Sequence, residues 1–154
     1  MKWLVDTNIL LSSAQTDHPV YGNVARVVRV LLSRGDELLV IAQNVIEFWA
    51  VATRPIANNG LGLTTAQAAQ ELTKLKVLFA ILPDNADILP EWEQLVIRHE
   101  VLGKQVYDAR LVAAMQVHNL THLLTFNTSD FKRFTTITAV SPQSLTLEDA
   151  EKNG

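Results

Sequence analysis

Five short apolar runs, each separated from the next by a segment with helical spacing, restrict the fold of this chain more than any other feature. The runs cover Lys2 to Val5, Glu37 to Ile41, Phe79 to Leu82, His122 to Thr125 and Ile137 to Val140. They are almost continuously apolar, the pattern of strands covered on both faces, and not the alternating pattern of a half-exposed sheet. Between the first two, Val20, Val24, Val27, Val28 and Leu31 recur near a 3.6-residue period, and Gly35 ends that helix. A helix over Gln43 to Arg54 stops before Pro55, and residues 55–63, with Asn58-Asn59-Gly60 and Gly62, read as a loop. Thr64 with Gln67 forms a capping box for a helix through about Leu78. Further helices are predicted from Ile88 to Val101, with Pro90 in the first turn, and from Val106 to His118. Strands alternating with helices imply a parallel sheet covered on both faces, and such sheets bind ligands beyond the carboxyl ends of their strands. With no internal repeat and no linker composition, residues 1–147 are expected to form one domain, followed by a polar tail over 148–154.

Bulk properties bound the partners. At 154 residues the chain can bury a substantial core. No apolar run approaches the roughly 18 residues of a membrane span, and no signal peptide is visible. The absence of cysteine excludes disulfides and thiolate metal sites, and is compatible with a cytoplasmic location. A net charge of −3 argues against a general nucleic-acid coat protein but not against a nuclease with an acidic site.

Three acids stand where an apolar chain does not normally place them. Asp6 closes the first strand, Glu47 sits inside Val45-Ile46-Glu47-Phe48-Trp49-Ala50, and Asp108 lies near a helix start. A desolvated carboxylate needs a compensating partner, and a hard divalent cation can supply it. Each also has a purely structural reading. Asp6 can cap a helix, and Asp108 can interact with a helix dipole, although it shares a face with Leu111, Val112 and Met115. Glu47 falls opposite the stripe Val45, Phe48, Trp49 and Ala52, beside Gln43, Asn44 and Arg54, so spacing leaves it open between a solvated and a covered position.

Four blocks in order carry a family likeness: Leu4-Val5-Asp6-Thr7-Asn8-Ile9-Leu10, the single Glu47, Tyr107-Asp108-Ala109, and Leu124-Thr125-Phe126-Asn127-Thr128-Ser129-Asp130-Phe131. From about residue 2 to 141 the chain resembles the PIN domain, and within it the VapC-type toxins of prokaryotic toxin–antitoxin pairs. The resemblance implies a three-layer α/β/α fold with a central five-stranded parallel sheet. It also implies a Mg²⁺- or Mn²⁺-dependent ribonuclease, a small antitoxin partner and a homodimer. Asp6, Glu47 and Asp108 then fall at the metal-binding acidic positions, with Glu47 a ligand or the residue that orients the attacking water. Asn8 and Thr7 would position carboxylates. The fourth position is open between Asn127, which would weaken a second metal position, and Asp130, which alternatively caps a short helix around Phe131 to Phe134.

Arg54, Lys104, Arg110, Lys132 and Arg133 are candidate phosphate contacts, weighed against ordinary solvated cations, with Arg110 the foremost because it lies two residues beyond Asp108. Trp3 and Trp49 read as core. Dinucleotide, phosphate-loop, zinc-protease and serine-nucleophile patterns are all incomplete. The expected function is an endoribonuclease acting on structured RNA. The rivals are a catalytically weak or inactive PIN-like module that binds RNA or protein, and a phosphatase-type α/β domain.

Overall fold

The computed structural model describes residues 1–15 and 21–145, so Val20 and the expected polar tail lie outside the described residues. The elements run β1 (Lys2–Val5), α1 (Thr7–Ser13), α2 (Tyr21–Ser33), β2 (Glu37–Ile41), α3 (Ala42–Thr53), α4 (Thr65–Leu78), β3 (Ala80–Leu82), α5 (Ile88–Arg98), α6 (Gln105–Val117), β4 (His122–Leu124) and β5 (Thr138–Val140). Short 3₁₀ turns cover Ile56–Asn58 and Thr128–Phe131. All strand pairs are parallel, in the order β3-β2-β1-β4-β5.

The continuous apolar strands are explained by two cores, one on each face. Trp3 and Val5 of β1 join Leu38, Val40 and Leu124 on the side covered by α1 to α4. Leu4, Leu39, Ile41 and Leu123 face α5 and α6, where Ala109 and the run from Leu111 to Met115 are buried. Alternate residues of one strand thus enter opposite cores, and no face is left for polar side chains. The α/β/α architecture and the five-stranded parallel sheet agree with expectation. Trp3 is buried, and Trp49 packs against the same core.

Several boundaries shift by one residue from the sequence reading, and three features differ from it by more. Helix α1 begins at once after β1, because Asp6 serves as its N-cap, accepting from the Thr7 amide with its side chain. Helix α5 ends at Arg98 and not at Val101, since Glu100 adopts a left-handed φ of 50° and the Val101 amide reaches back to the Val96 carbonyl. Asp130 caps no helix over 131–134. It lies inside the 3₁₀ turn, its amide already bonded to the Asn127 carbonyl.

The segment after α3 folds back on the helix that precedes it. The amides of Leu61, Gly62 and Leu63 donate to the carbonyls of Val51, Arg54 and Ala52. A Cβ at Gly60 would collide with the Arg54 backbone, so only glycine permits this approach. Gly60→Ala is therefore expected to lower stability by about 1–3 kcal/mol, the usual cost of overpacking. A urea midpoint equal to that of the wild-type chain would contradict this packing.

Candidate active site

Chain connectivity reverses direction at β1, since β2 and β3 lie to one side of it and β4 and β5 to the other. In open parallel sheets this reversal creates a crevice beyond the strand ends. Two residues just past β1 and β4 occupy it here. Asp6 donates its amide to the Leu124 carbonyl at 2.9 Å, and its Oδ2 accepts from Thr125 Oγ1 at 2.7 Å. Its Oδ1 accepts from the Thr7 amide at 2.7 Å. Thr125 Oγ1 in turn accepts from Asn8 Nδ2 at 3.4 Å and from the Asn127 amide at 3.1 Å. One donated and two accepted bonds saturate the hydroxyl and fix its proton on Asp6. Asn8 thus acts on Asp6 through Thr125 and not directly.

Helix α3 supplies Glu47. Its Oε2 accepts from Thr7 Oγ1 and its Oε1 from Gln43 Nε2, both at 2.9 Å. Asn44, wholly buried, donates to Thr7 Oγ1 at 3.2 Å and accepts the Ile41 amide at 2.9 Å, which secures the start of α3. Gln43 Nε2 also donates to the Tyr107 carbonyl at 2.9 Å, and Gln43 Oε1 accepts from Arg110 at 3.2 Å. The outer nitrogen of Arg110 pairs with Asp84 at 3.3 Å. The open question about Glu47 is therefore answered by its neighbours: Gln43 and Asn44 on its face are buried and Glu47 is half-buried, while Arg54 and Ile46 (67%) are exposed. Polar residues buried beside an exposed isoleucine break the usual pattern, and such breaks concentrate at functional sites.

Asp108 enters from the first turn of α6, half-buried. Its pKa is raised to about 6, first by burial and then by the charges of Asp6, Asp130 and Glu47, with Arg133 opposing more weakly. Asp6 is also raised, chiefly by burial, which outweighs its hydrogen bonds from Thr125 and Thr7, and further by Glu47 and Asp130. Four carboxylates therefore share one electric field, and among the described residues none of them is in a salt bridge; Arg133 opposes the shift at Asp108 only weakly. Asp36 offers a contrast. Burial would raise its pKa too, but it takes hydrogen bonds from Arg34 at 2.8 Å and Trp3 Nε1 at 3.0 Å and is held below the ordinary range. Asp36 is paired with cationic groups, Arg34 and the Met1 amine, whereas the hydrogen bonds to Asp6 and Glu47 come from uncharged donors.

Of the two candidates for the fourth position, Asp130 contributes charge to both Asp6 and Asp108, whereas the Asn127 side chain caps nothing and is exposed. Among the cations, Arg133 is engaged with the His99 carbonyl and Gln105, and Lys104 and Lys132 are exposed. Arg54 lines a hollow of about 340 Å³ with Thr7, Glu47, Ala50, Val51 and Tyr107. Nothing in the local sequence assigns a role to Thr125, and Gln43 and Asn44 stand out there only as neighbours of Glu47. Their signal was present as polar residues at points where a strand passes into the next element.

The donor set is entirely oxygen, which suits a hard divalent cation. Among the described residues no three acidic or histidine side chains are grouped closely enough to hold a metal ion as they stand. The fit is thus one of charge and chemistry, and Mg²⁺, which keeps several waters and takes one or two carboxylates, demands no more.

A parallel sheet that gathers carboxylates over its topological reversal points to the class of protein. The PIN domain profile matches residues 3–136, and the chain belongs to the PIN domain family. Solved structures share the fold across nearly their full length. VapBC2 from Rickettsia felis, bound to a promoter DNA fragment, has a TM-score of 0.69 at 17% identity, covering 92% of this chain and 98% of that one. Mycobacterium tuberculosis VapC20, a toxin that cleaves the sarcin–ricin loop, gives 0.63 at 14% identity over 86% and 95%. A toxin–antitoxin complex from Klebsiella pneumoniae gives 0.61 at 21% over 90% and 96%. No curated protein matches the chain.

Because the folded chain holds the Asp108 proton more tightly than the unfolded chain does, this group's contribution to stability falls as pH rises from 3.8 to about 6 and levels off above. In chelator, the Asp108 carboxyl carbon is expected to titrate near pH 6 by NMR, and Asp108→Asn should flatten the stability slope across that window. A midpoint near the ordinary 3.8 would contradict the shared field.

Proposed function

We propose that this protein is a metal-dependent endoribonuclease, the toxin of a toxin–antitoxin pair. The observation that carries the reading is that Asp6, Glu47, Asp108 and Asp130 act on one another's charge, with only Arg133 opposing, and more weakly, among the described residues. Asp6 and Asp108 would hold Mg²⁺ or Mn²⁺, with Glu47 completing the set as a ligand or by holding the attacking water. When bound, the ion would stabilise charge on the phosphate and make a coordinated water more acidic.

The protein's own residues prepare that chemistry. The Thr125 hydroxyl and Thr7 amide fix the Asp6 carboxylate, and Thr7 and Gln43 hold both oxygens of Glu47. Preset orientation removes the need to reorganise these groups when substrate arrives. Asp130, at the rim, would add negative charge that strengthens cation binding, while Asn127 would contact the ion through a water. Arg54 is proposed to meet an RNA phosphate. Arg110, tied to Gln43 and Asp84, would act by holding the Glu47 neighbourhood together.

The partner assignments follow the same reasoning. The similar fold of a toxin–antitoxin complex supports a small antitoxin. Exposed Leu89, Ile97 and Leu102, on and after α5, offer apolar area for a second copy of the chain. No described helix is long and apolar enough to cross a membrane.

With purified protein and RNA, Mn²⁺ or Mg²⁺ should switch on cleavage. Asp6→Asn and Asp108→Asn should each reduce the rate by more than about 100-fold while the circular dichroism spectrum is retained, since even outer partners of metal ligands cost roughly 10–100-fold. Thr125→Ala should fall within that smaller range. Cleavage that needs no metal and survives both Asp→Asn changes would refute the reading.

A further inference from the structure

The hollow beside Glu47 has a wall that the acidic chemistry does not require. Tyr107 precedes Asp108 directly, yet it is 58% exposed, an unusual position for a large aromatic ring. Its backbone is held in place, because Gln43 Nε2 donates both to the Tyr107 carbonyl and to Glu47 Oε1. The ring and the Glu47 carboxylate therefore keep a common reference point. Arg54 lines the same hollow and is exposed; its backbone is hydrogen-bonded, but its guanidinium has no hydrogen-bonding or ionic partner among the described residues. The Gly60 segment folded against its backbone fixes where it starts. The volume, about 340 Å³, falls within the roughly 300–1,000 Å³ range of small-ligand clefts.

We infer that this hollow is a nucleotide subsite, in which one unpaired base of the RNA stacks on Tyr107 and the adjoining phosphate meets Arg54, next to the bond to be cut. The inference rests on the ribonuclease reading for its substrate and adds how that substrate is gripped. An exposed aromatic ring accepts any base through its π-face, and an arginine near it takes the backbone. A base paired in a helix presents no face to the ring, so the subsite favours bonds flanked by an unpaired nucleotide. The apolar part of the hollow, Ala50 and Val51, suits the face of a base or its sugar and offers no hydrogen-bond code. The grip is thus sequence-tolerant.

Two readouts test it, one of which does not need cleavage. Short random-sequence RNA carrying 2-aminopurine, single-stranded or annealed to its complement, is mixed with the full chain in chelator, and quenching and anisotropy are followed. The same RNAs are then cleaved in Mn²⁺. Wild type should bind and cut the single strand in preference, Tyr107→Phe should match it, and Tyr107→Ala should lose quenching and weaken binding by about tenfold, a typical stacking loss. Arg54→Gln should weaken binding while leaving quenching at saturation intact. In cleavage, Tyr107→Ala should raise KM with little change in kcat.

Binding that depends on Tyr107 in a protein that never cuts would uphold the subsite and overturn the ribonuclease reading. Metal-dependent cleavage with unchanged KM in Tyr107→Ala would overturn the subsite alone. Loss in Tyr107→Phe equal to that in Tyr107→Ala would overturn stacking in favour of a hydroxyl contact. A change in sedimentation of Tyr107→Ala with intact RNA binding would overturn it in favour of a subunit contact, and no RNA binding at all would overturn both readings.

Discussion

The structure turns on a carboxylate placed where it is hard to keep ionised. Asp6 is only 8% exposed, joins β1 to α1, and is reached by the charges of Glu47 and Asp130. Two hydrogen bonds, from the Thr7 amide and the Thr125 hydroxyl, partly offset the burial. They do not cancel it, and its proton affinity stays raised. Everything around the crevice can be understood as holding that unresolved charge in one orientation. Thr125 is saturated by Asn8 and the Asn127 amide, and Thr7 is shared between Glu47 and Asn44.

Such an arrangement costs the fold stability, and on the proposed reading it favours an added cation. Like charges near one another raise each other's proton affinity, and an incoming divalent ion reverses that effect. The two apolar cores above and below the sheet carry the stability that the crevice forgoes, as expected where a local rule is broken at a functional site. The placement also follows from topology. Only at the reversal between β1 and β4 do strand ends from both halves of the sheet reach one point, so Asp6 and Thr125 meet although 119 positions separate them.

Much of this was legible in the residues, for definite reasons. Strands β1 and β2 were bounded correctly because Lys2 and Glu37 are exposed polar starts to runs that are otherwise buried. The Thr64–Gln67 capping box fixed the start of α4. Asp108 was expected to face inward from its spacing to Leu111, Val112 and Met115, and it is half-buried against that core. Glu47 was not legible, because periodicity measures apolar content and its face is covered by polar groups, Gln43, Asn44 and Thr7. Thr125 was read as the end of a strand, and its service to Asp6 depends on a pairing between β1 and β4 that no local pattern encodes. The short helix near Phe131 was misplaced because a 3₁₀ turn lacks the length to show a period.

The central claim is that the crevice over β1 and β4 takes up a divalent ion. Anomalous diffraction from crystals of the wild-type chain soaked in Mn²⁺ addresses it directly. The account predicts a manganese peak within coordination distance of the Asp6 and Asp108 carboxylates, absent in Asp6→Asn crystals given the same soak. A crevice that stays free of manganese, or a peak only at sites remote from both residues, would contradict it.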